Sequence, residues 1–403
     1  MDLNYGEEME GFRGEVQQFL SRAWPLKDDE AKLSLSEQAA LFRARGIEQG
    51  LLCRNIPKQY GGSEQPADVL KAQIIREEFA RVRAPGEARG IGTMMLVPTL
   101  LERGTEWQKE KWVPSTIRGE TIWCQGYSEP GSGSDLASLA TRGELVGDEW
   151  VINGQKIWTS GAHQAHYMFC LVRTEPGESK HAGISYLLID MNQPGIDVRP
   201  LRQMNGTADF NEVFMSDVRT PADWIVGKRG EGWNVSRTTL KHERNSIGAA
   251  SQTKALFRGL VDLAKKTERN GRPAIEDPEI RQRLVELEGY IRSHQYSGYI
   301  QLTRDSRGEA GGLLSMMNKI ISTNIGHDVA RLSIDLIGDA GLLGADDTGL
   351  GRIPNDHSSW ISQYMWSLGI AIAGGTANIQ RNVIAERGLG LPRDAAADRS
   401  SGK

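Results

Sequence analysis

The chain has 403 residues, 39% of them hydrophobic and 25% charged, with a mean hydropathy of −0.44. A net charge of −4 and an isoelectric point near 6.1 argue against a general nucleic-acid binder and against a polybasic membrane anchor. No apolar run approaches the roughly 18 residues of a membrane span, and the opening MDLNYGEEMEGFRGEV is too acidic for a signal or transit peptide, so a cytoplasmic protein is expected.

At roughly 100–200 residues per domain, two or three domains are expected. Residues 1–119 read as an N-terminal helical domain. Met9, Phe12, Val16, Phe19 and Leu20 recur at three- and four-residue steps, and further helices are expected near SLSEQAALFRARGIEQ and VLKAQIIREEFARV. The breakers IPKQYGG and RAPGEARG separate these segments. Residues 120–225 read as a central β barrel or sandwich. WVINGQKIW suggests two strands around an Asn153-Gly154 hairpin turn, and HYMFCLVRT, GISYLLID, IDVRPL and NEVFMSDVRTP suggest further strands. Residues 226–391 read as a four-helix bundle, with helices through 232–268, 278–305, 313–338 and 357–387. Residues 392–403 read as a flexible tail. The three cysteines, Cys53, Cys124 and Cys170, lack the spacing of a metal knot or a disulfide framework, so neither is expected.

Three stretches carry chemistry. WCQGYSEPGSGSDLASL, 123–139, offers small residues whose amides and hydroxyls suit a pyrophosphate. It is not GxGxxG after a strand, so a Rossmann reading fails, and on its own it reads more readily as a Pro/Gly-rich linker. In GQKIWTSGA, Trp158 beside Thr159 and Ser160 could wall a flat heterocycle and bond its edge; the plain alternative is a core tryptophan. IAGGTANIQRN, 372–382, opens on two glycines and a threonine. Free N–H groups and glycine's close approach make an anion cradle there, yet nothing in it moves a proton.

SEPGSGSD, INGQKIWTSGA and GGTANIQRN, in this order on a helix–β–helix chain, resemble the acyl-CoA dehydrogenase family, as does IPKQYGG. The resemblance covers almost the whole chain. It implies FAD, a tetrameric subunit, α,β-dehydrogenation of an acyl-CoA thioester, and electron transfer to an electron-transfer flavoprotein. It puts Gln125, Ser128, Trp158, Thr159 and Ser160 at the isoalloxazine and Ser134 near the CoA or FAD phosphates. Thr376, Gln380 and Arg269 match FAD contacts, and Arg244 matches a residue on the CoA side.

Much of the family places a glutamate directly before the Gly-Thr of the third motif; here that position is Gly374. Removing a thioester α-proton requires a base within about 3 Å. A second branch of the family carries the base in a Glu-Arg pair on another helix, and EGWNVSRTTLKHERNSIG, 231–248, has Glu243-Arg244 at that place. Glu243 is therefore the expected base; the plain alternative is a surface glutamate. Leu240 and Ile247 share its helix face, and a carboxylate on an apolar stripe needs a task or a partner. The backbone N–H of Gly374 would still bond the thioester carbonyl, and glycine leaves room for a bulky, branched, alicyclic, dicarboxylic or steroid-type acyl group.

The wording of these motifs, with GRPAIEDP, looks closest to the large subunit of pimeloyl-CoA dehydrogenase and to relatives from steroid and alicyclic-acid degradation, several of which are α2β2 heterotetramers with a smaller homologous subunit. Two departures bear on the cofactor. The family's Arg-x-x-Phe segment keeps at most Arg269, and its Gln-x-x-Gly-Gly is DLIGDAG here, with Asp335 and Asp339 repulsive to a pyrophosphate. They suit a chain whose neighbour is not a copy of itself. Two rival readings are a non-catalytic or FAD-sharing subunit of a heteromeric dehydrogenase, and an oxygen-using relative such as an acyl-CoA oxidase or flavin monooxygenase.

Overall fold

The structure, a computed structural model, describes residues 6–176, 180–246, 250–309, 312–343 and 356–392. The expected tail lies, beyond residue 392, outside the described residues. Two compact units are present, one of residues 2–201 with 208–243 and one of 202–207 with 244–403. Among the described residues no helix is long and apolar enough to cross a membrane.

The first unit begins with α1 (Glu7–Ala23), α2 (Leu35–Glu48), α3 (Val69–Val82), α4 (Val97–Arg103) and α5 (Glu106–Arg118). Local signals explain their starts. Ser34 and Glu37 form a reciprocal capping box on α2, and the Asp68 carboxylate takes the N–H groups of Leu70 and Lys71 on α3. Val16 and Leu20 of α1 are buried with Phe42, Ile74 and Phe79, and Met9, Phe12 and Phe19 pack against them. That is the apolar face the three- and four-residue steps foretell.

Seven strands follow: β1 (Trp123–Gly126), β2 (Arg142–Val146), β3 (Glu149–Ser160), β4 (Tyr167–Arg173), β5 (Ile184–Asp190), β6 (Ile196–Leu201) and β7 (Phe210–Pro221). They form one sheet in the order β1-β4-β2-β3-β7-β6, with β5 on β4. One sheet face and helices α4 and α5 share a core of Leu96, Leu100, Trp112, Trp123, Phe169 and Tyr186. The unit ends in helix α6 (Gly232–Ser246), whose last three residues fall in the second unit.

The Asn153-Gly154 pair does not turn the chain. β3 runs through it for 12 residues, and the β2–β3 turn lies at Gly147-Asp148, with Gly147 at φ 65°. Asn153 instead pins a register irregularity against β7: its amide donates to Asp217 at 2.9 Å and its carbonyl oxygen accepts the Asp217 N–H at 2.8 Å. Gly154 is required by close approach, because a Cβ there would stand 2.5 Å from Thr141 Oγ1 and 2.7 Å from Thr141 Cα.

The second unit is helical: α7 (Ala250–Lys266), α8 (Pro278–Ser306), α9 (Gly312–Ile337), α10 (His357–Ile370) and the short α11 (Ala377–Val383), with a small hairpin of β8 (Glu268–Arg269) and β9 (Arg272–Pro273). Its core is Leu260, Ile280, Leu284, Ile291, Val329, Leu332 and Trp360. The helix expected through 357–387 is broken between Ile370 and Ala377, where Gly374 and Gly375 take left-handed φ values of 61° and 88°.

Replacing Gly154 by alanine should lower stability by about 1–3 kcal/mol through overpacking against backbone. Replacing the open Gly147 should cost only its positive-φ strain, about 1–2 kcal/mol. Thermal unfolding of the two variants side by side checks this.

Candidate active site

In the first unit one buried ion pair organises the second of the chemical stretches around the first. Lys156 of β3 is fully buried, and its ammonium donates to Glu129 Oε1 at 2.8 Å, to the Leu171 carbonyl at 2.8 Å and to the Tyr127 carbonyl at 3.3 Å. Glu129, in SEPGSGSD, also accepts the N–H groups of Ala140 at 2.6 Å and Thr141 at 3.0 Å. One carboxylate thus closes the 129–141 loop on itself and ties it to β3. Burial acts to raise the Glu129 carboxyl, but the Lys156 charge and these hydrogen bonds outweigh it and hold the group below the usual carboxylate range.

The next turn of β3 is a β-bulge. Lys156 pairs with Val213 and Thr159 with Asn211, so two residues, Ile157 and Trp158, face one on β7. The extra residue reverses the in–out alternation. Trp158 turns outward, 59% exposed, at φ 60°, a conformation that bulky residues rarely take, and Thr159 turns fully inward. Three contacts hold the bulge. Ile157 N–H donates to the Ser128 carbonyl at 2.9 Å, the buried Asn211 amide donates to the Thr159 carbonyl at 2.9 Å, and Phe210 meets the Trp158 ring edge-on at 6.1 Å. Thr159 Oγ1 is buried and, among the described residues, has no hydrogen-bond partner.

Ser128 and Ser160 border this bulge, Ser134 lies on the loop, and Gln125 lies on β1 opposite Phe169 of β4. Gln125 is half-buried on β1, Ser128 is half-buried and Ser160 exposed. Ser134 is exposed in the loop, between Gly133 and Asp135; an added Cβ on Gly131 or Gly133 would meet nothing within 4 Å. A pocket of about 290 Å³ is lined by residues 129–132, Ser138, Ala140, Thr141, Gly154 and Gln155; Trp158 and Thr159 are not part of its wall.

Glu243 lies on α6, and a polar seam sets how that helix sits on α4. Thr99 and Thr239 hydroxyls meet at 3.0 Å, Arg103 Nε donates to Thr238 at 3.2 Å, and His242 Nε2 lies 2.8 Å from Glu102. The backbones of Glu243 and Arg244 are helical; their side chains, and Ile247, lie outside what the structure describes.

In the second unit the Gly374-Gly375 turn has its carbonyls drawn inward. Lys319 of α9, 6% exposed, donates to the Gly375 carbonyl at 2.7 Å; Gln380 Nε2 reaches the Gly374 carbonyl at 3.4 Å; and Gln380 N–H takes the Thr376 carbonyl at 2.9 Å. The Thr376 hydroxyl caps α11 by accepting Ile379 N–H at 3.2 Å. Among the described residues no protein acceptor takes the N–H groups of Gly374, Gly375 or Thr376. Consecutive unpaired N–H groups on a left-handed turn form an anion-binding concavity.

Arg269 is occupied within its own unit. It pairs with Asp277 at 3.4 Å and Glu279 at 3.1 Å, on a hairpin whose Asn270-Gly271 turn has φ values of 56° and 77°. Asp335 likewise pairs with Arg283 at 2.8 Å. Reading residue types by motif missed Lys156, Glu129, Asn211 and Lys319. The clearest signal was Lys156, a charge at an inward position of the alternation that carries Trp150 and Ile152.

Glu129→Gln and Lys156→Met should each cost about 3–5 kcal/mol by stranding a buried partner, and the double substitution less than their sum. Because the folded Glu129 pKa is depressed, its contribution is full above the unfolded value of about 4.3 and is lost as pH falls through the folded value. Urea unfolding across pH should therefore show a flatter acid limb for Glu129→Gln than for the parent.

Comparison with known proteins matches three family models in chain order: the acyl-CoA dehydrogenase N-terminal domain over residues 6–120, the middle domain over 124–218 and the C-terminal domain over 230–389. Acyl-CoA dehydrogenase IpdE1 of Mycobacterium tuberculosis is 39% identical over 361 residues, 89% of each chain. The ChsE4-ChsE5 complex from Mycobacterium tuberculosis contains a chain 27% identical, with a TM-score of 0.76 over 98% of this chain and 100% of that one. A steroid acyl-CoA dehydrogenase, Tcur3481-Tcur3483, matches at 28% identity and a TM-score of 0.76, with the same coverage.

Proposed function

This chain belongs to the acyl-CoA dehydrogenase family, and on that premise we propose that it catalyses FAD-dependent α,β-dehydrogenation of a bulky acyl-CoA thioester, with Glu243 as the base. The single observation that carries the flavin reading is the Trp158-Thr159 bulge. An outward indole beside a buried hydroxyl that no group among the described residues satisfies suits a flat heterocycle with polar edges, and an unsatisfied buried hydroxyl costs free energy until something bonds it. These residues fit FAD. Trp158 would pack on the isoalloxazine; Thr159, Ser160, Gln125 and Ser128 would bond its edge; Ser134 would lie towards its phosphates or those of CoA; and Thr376 and Gln380 would contact the cofactor. When bound, FAD supplies the oxidising equivalent, accepting hydride from Cβ.

The chain's own residues handle the proton and the thioester oxygen. Gly374 N–H would donate to the thioester carbonyl, stabilising the negative charge that develops there as Cα loses its proton. The Glu243 carboxylate would take that proton, and Arg244 would serve the CoA side. The left-handed backbone at Gly374 supports a base located elsewhere, because a glutamate at φ 61° would be strained by about 1–2 kcal/mol. The glycine and the steroid acyl-CoA dehydrogenase relative together favour a steroid-type or comparably large acyl group.

Electrons would pass to an electron-transfer flavoprotein. A heteromeric assembly is favoured over four identical copies. Arg269 and Asp335, at the family's positions for a neighbour's FAD, are each engaged by an ion pair within the chain, and one relative's structure is a two-component complex.

The test is Glu243→Gln in the purified flavoprotein, with its partner subunit co-expressed. The flavin spectrum should be retained while acyl-CoA-dependent bleaching under anaerobic conditions slows by about 10²–10⁴-fold, the usual worth of a general base. Unchanged bleaching would remove Glu243 from the reaction. Fast reoxidation of the reduced flavin by air would favour an oxidase instead.

A further inference from the structure

Lys319 is a buried cation whose contact with the 374–376 turn the mechanism above does not use. Its side chain is 6% exposed, and its ammonium donates to the Gly375 carbonyl at 2.7 Å, alongside a further interaction. Burying an ammonium is costly unless strong acceptors receive it. A packing role alone at this place in α9 would be met by methionine at lower cost.

The geometry of the turn says what the cation does. Every carbonyl from Gly374 to Thr376 is taken by a protein donor, and among the described residues no N–H over the same three residues has a protein acceptor. Lys319 and Gln380 therefore act as two inward tethers that leave the donors turned away from the carbonyls. The peptide that Lys319 grips runs from the Gly375 carbonyl to the Thr376 N–H. A cation on a carbonyl oxygen polarises that peptide and strengthens its N–H as a donor. Crowding reinforces the arrangement: a Cβ on Gly375 would approach Gln380 Nε2 to 2.7 Å.

We propose that Lys319 is a positioning residue for the thioester-binding Gly374 N–H, holding the turn by the adjoining Gly375 carbonyl and placing positive charge beside the donor that receives the developing oxyanion. The proposal rests on the dehydrogenase reading above. It assigns the residue a selective effect: the enolate-like state gains more from it than the neutral thioester does.

The experiment compares Lys319→Met, Lys319→Gln and Lys319→Arg in the purified holoenzyme, with its partner subunit co-expressed. The readouts are kcat and KM for the acyl-CoA that bleaches the parent flavin, the Kd of a 3-oxoacyl-CoA, whose acidic α-carbon makes its enolate a mimic of the reacting thioester, and the thermal midpoint. Lys319→Met should lower kcat by about 10–100-fold, less than the loss of a direct oxyanion donor. It should weaken 3-oxoacyl-CoA by a similar factor and move KM by no more than about 3-fold. Lys319→Arg, which keeps the charge, should recover most of both losses. If Lys319→Met does not fold, Lys319→Gln carries the same comparison.

A variant with unchanged kcat and unchanged enolate affinity overturns the proposal. So does one that loses neutral and enolate ligands equally along with thermal midpoint, which is the behaviour of a structural pin. If the parent holoenzyme neither bleaches with any acyl-CoA nor binds the 3-oxoacyl thioester, the dehydrogenase reading falls and takes this proposal with it. If the parent does both and the variants match it, only the Lys319 assignment falls.

Discussion

The pairing of Lys156 with Glu129 is the constraint on which the arrangement of the first unit depends. Two opposite charges are withdrawn from water, one wholly and one almost so, and each is saturated by further backbone partners. Such a pair contributes little net stability compared with apolar residues of the same volume. What it specifies is geometry. The Glu129 carboxylate can satisfy Lys156, Ala140 and Thr141 together only if the 129–141 loop lies in one conformation over β3. That conformation brings the Ser128 carbonyl to the Ile157 N–H, which in turn fixes where the bulge begins. The outward Trp158 and inward Thr159 follow from there.

Much of the fold was legible because burial leaves a period in the sequence. The α1 face, helices α2 and α3, and the β-rich texture after residue 120 all stand as the pattern indicates. The departures have local causes. Asn153-Gly154 resembles a hairpin turn because both residues tolerate positive φ, yet here the asparagine bonds across to Asp217 and the glycine admits Thr141, so the strand continues. Turn chemistry is local, and a partner strand overrides it. The run to 387 reads as one helix because its apolar residues keep helical spacing across the glycines, whereas Lys319 and Gln380 reward a turn in which those carbonyls face inward.

The candidate site was legible in its motifs and illegible in its supports. Trp158, Thr159 and Gly374 announce themselves by residue type in a recognisable order. Asn211 and Lys319 do not, because an isolated Asn or Lys in a sequence carries no mark of being buried; only the register of β7 against β3, and of α9 against the turn, reveals it. Arg269 teaches the reverse. Its position in the sequence suits a cofactor contact, and only its distances to Asp277 and Glu279 disclose a competing set of partners. These exposed pairs are individually weak, so they bias the arginine without locking it.

The left-handed pair Gly374-Gly375 also bears on how such a site changes over generations. Once a backbone has settled into φ values that only glycine adopts freely, restoring a carboxylate to that turn is no longer a single substitution. The new side chain would strain the turn by about 1–2 kcal/mol, and relieving that strain by a flip would strip Lys319 and Gln380 of their carbonyls. If Glu243 is the base, as proposed above, relocation of the base would act as a ratchet: the backbone of the turn would be held while helix α6 carried the selective pressure on the proton transfer.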